Sequence, residues 1–162
     1  MKTNKKLISA FRIKRIREQG YFTQTNQEVS DLSIGIRFAY QICATIVFFG
    51  VFFASVKILS IVLVAAFLTI VLPNHPFDYI YNLLISRVIK RPKVPRRSKQ
   101  LKFACGIAFF WVTTVMYLFY SNFMLQGYIF GGAFFAVALL VSTTDICIPS
   151  IFYNKLFNQN PD

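Results

Sequence analysis

Positive charge in this chain is gathered into two blocks, and the long stretches between and beyond them carry almost no charge. A soluble basic protein of the same size spreads its cations over much of its exterior, so segregation of this kind implies lipid as the solvent for the apolar runs. The composition agrees: 162 residues are 56% hydrophobic and only 15% charged, yet the formal net charge is +12. One domain is expected, because too little hydrophilic sequence is left for a separate soluble unit.

Residues 34–54 contain a single charge, Arg37, and as a helix would cover roughly 30 Å, the thickness of a hydrocarbon core. A tight turn leads to 57–73, which is apolar after Lys57 and stops at Pro73. This second span is short and needs a snorkelling Lys57 or local bilayer thinning. Residues 101–120 and 123–147 form the third and fourth spans, around an uncharged turn at Ser121 and Asn122. The expected fold is an all-α membrane protein: four transmembrane helices as two hairpins, with a short amphipathic interfacial helix after each hairpin.

The domain reading is a basic N-terminal arm over 1–31, a transmembrane domain over 32–157 with a basic loop at 74–100, and a tail over 158–162. In the arm, Leu7, Ile8 and Phe11 share one helix side while Ile13 and Ile16 project elsewhere, which predicts partial order. No apolar stretch in the arm has the form of a signal peptide, so the start of the chain is expected to be kept. After the first hairpin, Phe77, Ile80, Tyr81, Leu84 and Val88 share a face opposite Asp78, Asn82, Ser86 and Lys90, an interfacial pattern. Each hairpin is followed by proline and a Tyr-Asn-x-Leu ending: Pro76, Tyr81, Asn82 and Leu84, then Pro149, Tyr153, Asn154 and Leu156. Duplication would make these parallel repeats, and chance is the competing account of so short a match.

Lys and Arg set the expected orientation. The arm and the central loop carry nearly all of them and the two hairpin turns carry only Lys57, which places both termini in the cytoplasm. The loop cations Arg87, Lys90, Arg91, Lys93, Arg96, Arg97 and Lys99 are candidate contacts for anionic lipid headgroups or for a protein partner. Nucleic acid is not expected as a partner, since cations beside membrane spans need no such explanation.

Charges within spans are the strongest pointers to a site, because lipid penalises them unless they are paired. Arg37 and Asp145 lie at matching depths near the cytoplasmic ends of the first and last spans. A tie between them and separate snorkelling are the two open readings. Cys147, followed by Ile148 and Pro149 at the inner interface, is the candidate reactive thiol. The competing reading makes it a small apolar packing residue, as for the deeper Cys43. Cys105 can lie at a depth comparable with Cys147. His75 is the only histidine and lacks carboxylates at ligand spacing, so capping or a surface role is expected and no metal or cofactor is predicted. Gly127 and Gly131, four apart, are expected to let helices pack closely in lipid.

Lys102, Phe103 and Ala104 at the start of the third span, together with Cys147, Ser150 and Tyr153 at the end of the fourth, carry a resemblance. The chain resembles a family of small bacterial membrane proteins of unassigned activity, domain of unknown function DUF4395, well over about 96–157 and loosely over the first hairpin. The family pattern ends in Cys-x-x-Cys-x-x-Tyr, and Ser150 stands here in place of the second cysteine. That departure removes the resolving thiol a dithiol redox role would use. The resemblance implies a bacterial inner (cytoplasmic) membrane and no particular activity.

Function is therefore read first as a non-enzymatic accessory or assembly subunit, meeting other membrane proteins or further copies of itself through helix packing and the basic face. The alternatives are a thiol-dependent protein handling redox or sulfur equivalents at Cys147, and an oligomeric channel or carrier, which the scarcity of polar residues in the spans disfavours. Arg37, His75, the basic loop, Asp145 and Cys147 are all expected to gather at the cytoplasmic interface.

Overall fold

The computed structural model describes residues 7–158, and every regular element among them is helical. Helix α1 covers Ala10–Glu18 and α2 covers Asn26–Phe52. The start of α2 is fixed by a reciprocal cap in which Glu28 N donates to Thr25 Oγ1 and Thr25 N to Glu28 Oε2. Hydropathy alone placed this start at 34. The helix begins earlier because Val29, Leu32 and Ile36 bury themselves beside Ile13 and Ile16 of α1. The arm, expected to be only partly ordered, carries a docked helix, with Ile13 and Ile16 inside and Leu7 and Phe11 exposed.

Helix α3 (Val56–Val71) is followed by α4 (Pro76–Ile80), a π-helical turn (Tyr81–Ile85) and α5 (Ser86–Val88); then come α6 (Lys99–Tyr120), α7 (Met124–Thr144) and α8 (Ile148–Leu156). The α2–α3 and α6–α7 turns close in the same way. Ala54 and Asn122 take left-handed φ values of 45° and 61°. The next residue then donates back across the helix end, Ser55 N to Gly50 O and Phe123 N to Leu118 O.

Three helices, α2, α6 and α7, are long and apolar enough to cross a membrane. A fourth crossing is reached if α3 and the Pro76–Val88 segment, bent by 83°, count as one span. The four long helices form a ring, α2 against α3 and α7, and α6 against α3 and α7, with the broadest faces α3 on α6 and α2 on α7. Each helix therefore packs more on the other pair than on its own chain neighbour. Among the described residues Lys57 is the one cation at the end of the ring that carries the tight turns; Arg12, Arg37, Arg91, Arg97, Lys102 and the remaining cations mark the other, basic end.

The two short amphipathic segments bury their polar sides. Asp78 and Ser86 are buried, while Ile80, Leu83, Leu84 and Val88 are exposed; in α8, Ser150 and Asn154 are buried and Ile148, Ile151, Phe152 and Leu156 exposed. Asn82 exchanges hydrogen bonds with the Val94 backbone, and Asn154 donates to Glu18 O. The asparagine of each Tyr-Asn-x-Leu ending thus ties its helix to a neighbouring backbone, the loop at Val94 in one case and the end of α1 in the other. Polar-in, apolar-out packing is stable where the surroundings are hydrocarbon.

Candidate site: a cysteine-lined cavity under two arginine–aspartate nodes

At the basic end, Pro73 stops α3 and His75 starts α4: Phe77 N donates to His75 Nδ1 and His75 N to Asp78 Oδ2. This cap fixes the Asp78 carboxylate inside the protein, where Arg97 meets it with two hydrogen bonds of 2.6 Å. Both side chains are almost fully buried, at 0% and 6% exposure for the two residues. Burial works against the charge on Arg97, but Asp78 and the hydroxyls of Tyr40 and Tyr21 outweigh it and hold the guanidinium pKa well above its ordinary value. Arg97 Nη1 also donates to Tyr40 Oη at 3.2 Å.

His75 Nδ1 accepts the Phe77 amide hydrogen, so that nitrogen carries no proton and the ring is the neutral imidazole. Since Nδ1 accepts from Phe77, the proton of the neutral ring sits on Nε2, which lies 3.7 Å from Cys43 Sγ. The imidazole therefore offers Cys43 an N–H and no free lone pair. It can stabilise sulfur as an acceptor but cannot deprotonate it as a base.

The second node is Asp145, the left-handed residue that ends α7, with φ 62°. Its carboxylate receives Arg37 Nε at 2.6 Å, Arg37 Nη2 at 2.8 Å and Arg12 Nε at 2.8 Å. Arg37 also donates to Thr143 O, Arg15 to Thr144 O and Gln19 to Asp145 O. The unpaired carbonyls at the C-terminus of α7 thus meet cations, as the helix dipole favours. Gln19 Oε1 accepts from Tyr40 Oη, which joins this node to the first, and Ser98 Oγ donates to Gln19 O. Each node links an acidic residue that follows the second helix of one pair to an arginine in or just before the first helix of the other.

Below the nodes, between two apolar clusters, lies a cavity of about 140 Å³. Tyr40, His75 and Arg97 face it at the basic end, and Trp111 and Phe134 at the far end. Cys43 of α2, Cys105 of α6 and Cys147 before α8 all line it, and all three are free thiols. No group of three or more His, Cys, Asp or Glu side chains that could hold a metal ion exists among the described residues.

Several residues singled out in the sequence sit differently from expectation. Asp145 lies beyond α7 rather than inside a span that runs to 147, and the structure brings it to Arg37, with Arg12 as a third member. Cys147 is buried, its sulfur accepting from Ser150 Oγ at 3.0 Å. Of the loop cations, Arg97 is an internal partner of Asp78 and not a lipid or partner contact. Arg91 pairs with Asp31 at 2.7 Å, while Arg87, Lys90, Lys93, Arg96 and Lys99 are exposed. Gly127 and Gly131 are used inside the chain. A Cβ on Gly127 would lie 2.6 Å from the Phe119 ring, and one on Gly131 would lie 2.8 Å from Val51. Neither glycine is left to seat a second protein. Sequence reasoning missed Asp78 with Arg97, and the meeting of Cys43 and Cys105 with Cys147. The His75-to-Asp78 capping spacing was the readable signal for the first; the second has no local signal.

Residues 33–157 match the family described as Domain of unknown function (DUF4395). No curated protein and no solved structure matches the chain.

Proposed function

The chain belongs to the DUF4395 family, which assigns no activity, and we propose that it is a four-span protein of a bacterial inner membrane, working through its thiol-lined cavity. The observation that carries this reading is the convergence of Cys43, Cys105 and Cys147, from three separate elements, on one cavity beside the His75 N–H. The two hairpins interlock around the site, and α3 completes its crossing through the bent Pro76–Val88 segment. The cations at the basic end favour the cytoplasmic side and anionic headgroups. Helix packing on a partner subunit is the weaker reading, since Gly127 and Gly131 are occupied within the chain.

Alkylation in native membranes tests the thiol reading. A small neutral maleimide is expected to add to at least one of the three cysteines in the folded protein, read by intact mass, and to add to none when all three are alanine. Cysteines that stay inert until the protein is unfolded would overturn it.

A further inference from the structure

We infer that the cavity binds a neutral, single-ring aromatic molecule that reaches it from the bilayer. This rests on the reading of the cavity as the working site and names its class of ligand. Size sets the first limit. A cavity of about 150 Å³ lined by apolar side chains stays dry and accepts benzene, and this one measures about 140 Å³. Polarity sets the second. The polar groups along its wall are engaged with one another: Arg97 with Asp78 and Tyr40, Tyr40 with Gln19, and His75 with Phe77 N and Cys43. An ion entering here would shed its water without finding a counter-charge. Sulfur, by contrast, is polarizable and packs favourably against aromatic rings, and three sulfurs share this wall.

The route follows from what closes each side. At the basic end, the Arg97–Asp78 pair and the α1 contacts through Gln19 lie across the bundle. Between α6 and α7, Trp111 seals the seam, donating to Phe130 O at 3.1 Å and packing its ring, tilted by 44°, with its centroid 5.7 Å from that of Phe134. Nearer the basic end the same seam is lined by Ala104, Ala108 and Ala138, which are short and only half-buried. That stretch opens toward the outer, apolar surface of the ring of helices.

The test uses the full chain in lipid nanodiscs, with methanethiosulfonates of graded size and charge and labelling rates read by intact mass. A Ser121→Cys control in the exposed turn normalises each reagent. Relative to that control, the benzyl reagent is expected to label the cavity cysteines at least tenfold faster than the trimethylammonium-ethyl reagent, and a naphthylmethyl reagent is expected to lag behind benzyl. Toluene is expected to slow methyl-reagent labelling of the cavity several-fold and leave the control unchanged. Ala108→Leu, or Ala138→Leu should the first not fold, is expected to slow benzyl labelling tenfold. If the charged reagent labels as fast as the benzyl one, or toluene does not protect, the ligand class is wrong while the thiol site stands. If no reagent labels any cavity cysteine, both readings fall.

Discussion

Asp145 holds two arginines from distant parts of the chain, and its burial makes it the more sensitive side of the node. Asp145→Asn leaves Arg12 and Arg37 facing a neutral amide, and removing one member of a buried pair costs about 3 kcal/mol. Arg12→Ala or Arg37→Ala should cost less, because the carboxylate keeps the other arginine. Detergent-denaturation midpoints of the three variants measure the order. Arg37 and Asp145 were readable as candidates because each is a lone charge in an apolar run, with a tie and separate snorkelling both open. Arg97 was not, because a basic loop offers many cations and only the turn at Pro73 decides which one points inward.

Among the elements, α7 shows how much one backbone position matters. Gly131 faces Val51 and Val115, whereas a Cβ on its neighbour Gly132 would meet nothing. Gly131→Ala should destabilise by about 1–3 kcal/mol through overpacking. Gly132→Ala should be neutral or gain up to about 1 kcal/mol from helix propensity. Thermal unfolding in one detergent compares them directly. The small-residue spacing in the sequence located the close approach, but a spacing is symmetric with respect to what it approaches. The amphipathic segments carry the same lesson. Their two faces were visible in the sequence from Phe77 to Lys90, yet Tyr81 went inside with the polar face because the π-helical turn shifts the register and Gly35 leaves room for its ring.

For the whole molecule, the two pairs of helices clasp one another, and both arginine–aspartate nodes lie at the basic end where the pairs meet. Topology follows from where those cations sit. A reporter enzyme active only outside the cytoplasm should work when fused at Lys57 or Asn122 and fail at Arg96; activity at Arg96 would reverse the orientation. By itself the sequence determined that this chain is helical and apolar enough for lipid, roughly where its long helices run, and which end is basic. Those properties are local: they depend on runs of side chains and on prolines and caps a few residues away. Only the tertiary structure decided that Ile13 and Ile16 dock the arm, that Gly127 and Gly131 pack within the chain, and that Cys43, Cys105 and Cys147 share a wall. Which helix faces which is set by the sum of many weak side-chain contacts across the ring, and no window of sequence contains both partners.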